Sequence, residues 1–211
     1  MNWSRLLLCV SCLVNCVPLR GDELKPIPLP RPQLSGGRPL MQVLADRKSI
    51  REFSTNALPL QTLANLLWAG FGTNRTDGHR TAPSTMNSQE IEIYVSLAEG
   101  TYVYEPLLHQ LRPLMADDIR TKTGGQDFVK VAPLALVFVA DLARMEKAKP
   151  EDRERYANMD VGYISQNIYL YCASEGLATV VHELDRRELP KLLKLNLGQR
   201  ILLAQSVGFP K

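Results

Sequence analysis

Cysteine is scarce where it could do structural work. The 211-residue chain holds four, and Cys9, Cys12 and Cys16 fall at its very start, which leaves Cys172 alone in the body. One cysteine cannot close an internal disulfide. Cys172 lies in an apolar helical run, where a thiol acts as a small buried hydrophobe rather than a nucleophile. Histidine is equally thin. His79, His109 and His182 stand far apart, and no Cys/His spacing matches a zinc site. Net charge is nearly missing too. The 25 basic residues face 22 acids, and Arg5 and Arg20 sit in an acid-free stretch of 20 residues, so the remaining 23 are almost balanced. Nothing in that balance suggests nucleic-acid binding, which usually shows a basic patch or stripe. No G-x-G-x-x-G follows a strand, so nothing marks a separate dinucleotide-binding domain.

Long apolar runs are absent as well. The best, Leu6-Leu7-Leu8-Cys9-Val10-Ser11-Cys12-Leu13-Val14 after Arg5, is too short to span a bilayer comfortably. It has the form of a secretory h-region, so residues 1–20 are expected to be a signal peptide, with an uncleaved anchor as the alternative. The expected location is exported, periplasmic or envelope-associated, with membrane contact only through this segment. Residues 21–38 form a Pro-rich linker or arm containing Pro26, Pro28, Pro30 and Pro32, with Ser35-Gly36-Gly37 among them. Residues 39–211 remain as one domain. With 45% hydrophobic and 22% charged residues overall, the composition supports a real core.

Within that domain the periodicity alternates between helix and strand. Pro39 opens a short helix carrying Leu40, Val43 and Leu44, and Pro59 opens another through Trp68, closed at Gly70-Phe71-Gly72. Ile91, Ile93, Val95 and Leu97 alternate with polar residues as a half-buried strand, and Glu99-Gly100 turns it into Thr101–Tyr104. A short strand is expected over residues 109–115 and a short helix over 116–121, closed by Gly124-Gly125. Residues 133–140 read as a central strand. Residues 141–159, with Pro150 among them, read as a solvated connection and a helix start, and Asp160 to Glu175 as a buried helix stopped by Gly176. A short amphipathic helix over 186–195 and a core strand over 200–207 complete the chain.

The stretch Arg47-Lys48-Ser49-Ile50-Arg51-Glu52-Phe53 stands out. Three cations and a hydroxyl occupy five positions just past a helix. They could simply complement the negative end of that helix. They could also grip a phosphate, with Arg as a planar fork, Lys as a point charge and Ser as a short donor.

Arg-x-Ser-x-Arg-x-Phe at this position resembles the N-terminal motif of the FMN-dependent nitroreductase family. Two further segments resemble that family in the same order. One is Pro83-Ser84-Thr85-Met86-Asn87-Ser88-Gln89 before a strand, which could otherwise be turn residues. The other is Gly176-Leu177-Ala178-Thr179-Val180-Val181-His182-Glu183. The final Gly208-Phe209-Pro210-Lys211 is also similar. The resemblance implies an α+β fold with a mostly antiparallel central sheet flanked by helices, and a homodimer whose flavin sites are each built from two subunits.

It also implies FMN as cofactor. Arg47, Lys48, Ser49, Arg51 and Lys211 would face its phosphate. Pro83, Ser84, Thr85, Asn87 and Gln89 would lie near its ring and ribityl chain, with Asn87 on the pyrimidine edge, because an amide both donates and accepts. Val181, His182 and Glu183 would form a loop whose backbone N–H polarises the reacting nitrogen. His182 could also donate a proton, since imidazole titrates near neutrality; an exposed or merely hydrogen-bonded role is the alternative. No metal is implied. Glu90-Ile91 replaces the Pro-Trp of many relatives, which points toward the branch near the thiazoline and oxazoline oxidases. The expected activity is hydride transfer through FMN between a reduced donor, NAD(P)H being one candidate, and a small organic acceptor. An azoline-oxidising dehydrogenase and a non-catalytic flavin-binding protein are the alternatives. An exported enzyme would need a donor other than cytoplasmic nicotinamide.

Overall fold

The computed structural model describes residues 24–211, so the leader expected over residues 1–20 lies outside them. Four helices are α1 (Leu40–Asp46), α2 (Leu60–Phe71), α3 (Pro150–Glu175) and α4 (Leu189–Leu192). Seven strands are β1 (Ile27–Pro28), β2 (Ile91–Leu97), β3 (Gly100–Glu105), β4 (Gln110–Met115), β5 (Leu134–Asp141), β6 (Ala178–His182) and β7 (Gln199–Gly208). They form one antiparallel sheet in the order β1-β4-β3-β2-β5-β7-β6. The fold is the α+β arrangement that the sequence leads one to expect.

The core sits on both faces of the sheet. Leu63, Leu66 and Leu67 of α2 and Ile164 and Ile168 of α3 pack with Ile93, Leu136 and Phe138 on one face. On the other face Tyr94, Val137 and Val139 meet Ile119, Leu184, Leu189 and Leu193. Each fully buried side chain of this size contributes about 1.5–3 kcal/mol. Strand β2 is therefore covered on both sides rather than half-buried, because loops and α4 roof the face that its alternation left polar.

Helix α3 begins at Pro150, within the stretch expected to hold a helix start and ten residues before its expected buried part. Pro150 occupies its first turn, followed by Glu151 and Asp152, which suit the positive end of a helix. Its charged first ten residues bury only Ala157, and the apolar stripe begins at Val161. At the other end Gly176 adopts φ +70° and its N–H caps Cys172 O. The short helix expected over 116–121 is instead two 3-10 turns, at Arg120–Lys122 and Asp127–Lys130, and the helix expected over 186–195 shrinks to α4.

The described part of the Pro-rich arm lies against the domain. Ile27 and Pro28 pair with Leu111 and Gln110, which adds a two-residue edge strand of the kind that tolerates proline. His109 Nε2–H donates to Pro30 O at 3.0 Å, and its Nδ1 accepts from Tyr104 Oη at 2.9 Å. Further along, Gln33 N–H donates to Asn65 of α2 and Arg38 N–H to Ser174 of α3, each at 3.0 Å.

Candidate functional site

The basic stretch leaves α1 in extended form. Arg47 N–H donates to Val43 O, and the chain then runs beside β6, where Ile50 N–H donates to Thr179 O at 3.0 Å. Phe53 is buried and bridges to Pro210, Ser54 N–H donates to Phe209 O, and Lys211 N–H donates to Glu52 O at 3.3 Å. The C-terminal tail therefore lies alongside the motif. Arg47, Lys48, Arg51 and Lys211 have no acidic partner among the described residues, although most arginines elsewhere in the domain do.

One tyrosine joins this cluster to the third segment. Tyr169 Oη accepts from Val181 N–H at 2.9 Å, which leaves its own O–H free to donate to Ser49 Oγ at 3.0 Å. Arg47 stacks over the same ring, 5.4 Å from its centroid. Tyr169 was not legible as a site residue. It sits beside Ile168 in α3, and only its place on the flank of the buried stripe could have singled it out.

The third segment differs from expectation. Val181 and His182 belong to strand β6, not to a loop, because Val181 and His182 stay in register with Gln205 and Ala204 of β7. The His182 imidazole is buried, with Nε2 3.0 Å from Ser206 Oγ and Nδ1 3.3 Å from Glu183 O. Phe128 meets it edge-on at 5.6 Å, and a Cβ at Gly124 would lie 2.7 Å from Nδ1. Burial holds its pKa below the usual imidazole range. Both ring nitrogens are thus engaged inside the chain. Glu183 is exposed and pairs with Arg186, whose hydrogen bond holds the carboxyl below its ordinary pKa.

The second segment is a tightly tied loop. Met86, Asn87 and Gln89 all have positive φ, at 55°, 53° and 48°. Such backbone costs about 1–3 kcal/mol per residue outside glycine and persists only where the surroundings enforce it. Here Ser84 Oγ accepts from Gln89 N–H at 3.0 Å, and Ser88 Oγ donates to Thr85 O at 2.8 Å. Gln89 Nε2 donates to Asn87 Oδ1 and to Gly78 O, and its Oε1 accepts from Arg80. Pro83 and Asn87 remain exposed. The loop is anchored from below by Asp160 of α3, which accepts from Thr85 N–H at 2.7 Å and from its hydroxyl at 3.2 Å.

Beneath the loop lies Glu90, fully buried, with neither carboxylate oxygen hydrogen-bonded among the described residues. Burial, and then the charge of neighbouring Asp160, push its pKa up to about 7, against the weaker pull of Arg144. Asp160 and Glu90 were both visible in the sequence, as a presumed helix start and as a departure from a motif, but not as a buried pair.

The structure therefore gathers Arg47, Lys48, Ser49, Arg51, Val181 and Lys211 in one place and Pro83, Ser84, Thr85, Asn87 and Gln89 in another. Helix α3 separates them. Asp160 and Tyr169 are nine residues apart, about 14 Å along the axis and half a turn round it. They flank the buried stripe on opposite sides.

The nitroreductase family model matches residues 44–209. A nitroreductase-type protein of Methanocaldococcus jannaschii is 31% identical over 180 residues, covering 80% of this chain and 90% of its own. The crystal structure of a nitroreductase-type protein from Ralstonia eutropha JMP134 superposes with a TM-score of 0.85 at 44% identity, over 90% of this chain and 92% of that one. A more distant structure of the same fold, from Desulfovibrio desulfuricans in complex with FMN, aligns at 21% identity with a TM-score of 0.61, over 82% of this chain and 87% of its own. The antiparallel α+β fold thus has its counterpart in known proteins, and the chain belongs to the nitroreductase family of oxidoreductases.

Proposed function

We propose that this protein is an FMN-dependent oxidoreductase that works as a homodimer and passes hydride from a reduced donor to a small organic acceptor. The observation that carries this reading is the set of uncompensated cations, Arg47, Lys48, Arg51 and Lys211, assembled around Ser49 from opposite ends of the chain. None of these cations is paired with an acid among the described residues, so each is available to an anion, and a dianion can engage several at once. A flavin phosphate fits that need, and the FMN held by the Desulfovibrio desulfuricans relative supports it.

FMN, when bound, supplies the hydride chemistry. The chain's own residues would hold and orient it. Tyr169 fixes the Ser49 hydroxyl for the phosphate and engages the Val181 N–H. The His182 N–H faces β7 within the sheet, so the backbone N–H of Glu183, just past the end of β6, is the candidate donor toward the reacting edge of the ring. Asn87 has an exposed amide, one of whose groups is held by Gln89. Because the Pro83–Gln89 loop lies across α3 from the cation cluster, that loop would serve the site of a second chain.

The test separates phosphate from ring. Arg51→Gln removes one charge-assisted grip, worth about tenfold in affinity. FMN binding should weaken by that factor, while riboflavin, which lacks the phosphate, should bind as before. The purified protein should be yellow. A colourless protein that ignores added FMN would overturn the reading, and flavin that no donor reduces would favour a binding protein.

A further inference from the structure

A second cavity, of about 350 Å³, opens on the far side of Gln89. Its floor is Phe71, Ile91 and Val103, all buried, and its rim is Leu107 and Leu108 at the tip of the β3–β4 hairpin, 74% and 66% exposed. Three arginines and two glutamates line it. Arg144 pairs with Glu92, and Arg112 with Glu105 at 2.9 Å. Arg80 is left over. It has no acidic partner among the described residues. Its Nε donates to Gln89 Oε1 at 2.9 Å and its Nη1 to Thr73 Oγ1 at 3.3 Å, while its guanidinium lies 5.3 Å from the centroid of Phe71. No atom of the described residues accepts from Nη2. Burial and the nearby Arg144 charge press its pKa below the ordinary arginine value, the direction expected of a cation with no counterion.

We propose that this cavity binds a small organic monocarboxylate with a flat apolar body, Arg80 pairing with the carboxylate and Phe71, Ile91 and the two rim leucines enclosing the body. Each half of that ligand answers a feature of the site. One net positive charge calls for one negative charge. Guanidinium offers two parallel N–H groups to a carboxylate. The other two arginines of the lining are already paired with Glu105 and Glu92, which leaves the second charge of a phosphate dianion without a free counterion. A planar body fits along the floor beside Phe71, whose ring face the Arg80 guanidinium already covers, and meets that ring at its edge. The inference goes beyond the flavin reading and stands without it, since neither Arg80 nor Phe71 belongs to the three flavin-like segments.

Benzoate and its neutral analogue benzamide test it, titrated calorimetrically into the purified chain with whatever flavin it carries. Benzoate should bind at least about tenfold more tightly than benzamide, the difference expected of one charge-assisted pair. Arg80→Gln should erase the preference, and Arg80→Lys should restore part of it. Leu108→Glu, at an exposed rim position, should weaken benzoate severalfold with no change in melting temperature, and it decides the matter if Arg80→Gln fails to fold. No heat with benzoate, equal affinity for benzamide, or benzoate binding untouched by folded Arg80→Gln or by Leu108→Glu would overturn the proposal.

Discussion

Glu90 carries no surface exposure and no hydrogen-bond partner, beneath a loop that is itself held by Asp160. A carboxyl in that position prefers its proton. In the unfolded chain it would ionise near 4.5, while in the folded chain burial and Asp160 raise this to about 7. The sign of the consequence follows from proton counting. Below 4.5 both states hold the proton and Glu90 is neutral toward stability. Between 4.5 and 7 the unfolded state has lost it and the folded state has not, so stability falls as pH rises through that window, then levels off. The loss is on the order of 3 kcal/mol. Glu90→Gln removes the titration and keeps the shape. Thermal melts should show the variant equal to the parent near pH 4.5 and more stable at pH 8, with a flatter profile between. A variant that is destabilised equally at both pH values would mean that Glu90 is ionised in place. The sequence marked Glu90 only as a change from Pro-Trp. Its burial was hidden because strand alternation says which side a residue faces, not whether a helix such as α3 covers that side.

At the scale of elements, α3 does most to place the site. One flank holds Thr85 through Asp160 and the other holds Ser49 and Val181 through Tyr169. Its C-terminal turn also carries Ser174, which receives Arg38 of the arm. That turn is closed by Gly176 at φ +70°, with both Gly176 and Leu177 N–H donating to Cys172 O. Left-handed backbone costs a side chain about 1 kcal/mol. Gly176→Ala should therefore lower the melting temperature by about 2–4 °C and speed amide exchange in the last turn while leaving the first turns unchanged. An unshifted melt would mean that this cap contributes nothing. The strands β2, β3, β5 and β7 were readable from period-2 alternation or a continuous apolar run, and the three flavin-like segments were readable from their order. The first half of α3 was not, because Glu151–Asn158 is charged around most of its circumference and only Ala157 is buried there. The β6 extension through His182 was also not readable, since its partner strand β7 sets the register from 22 residues away.

For the molecule as a whole, the split between the two groups of site residues and the exposed apolar surface point the same way. Met159 and Tyr163 are 49% and 47% exposed in the middle of the longest helix, with Gly162 between them open to close approach. Leu40, Met41 and Leu44 of α1 add to the outward apolar face. A second chain packed there would bury this surface and could bring its own Pro83–Gln89 loop toward the first chain's Arg47–Arg51 cluster. Met159→Glu with Tyr163→Glu touches neither group of residues and removes no buried contact, so each chain should still fold with an unchanged circular dichroism spectrum. Light scattering coupled to gel filtration should find the parent at twice the chain mass and the double variant at one. If each flavin site draws on both chains, FMN should be lost in the same step, although every phosphate-facing cation is still present. A double variant that becomes monomeric and yet keeps FMN with parental affinity would place the whole site within one chain, and the two sides of α3 would then have to serve separate purposes.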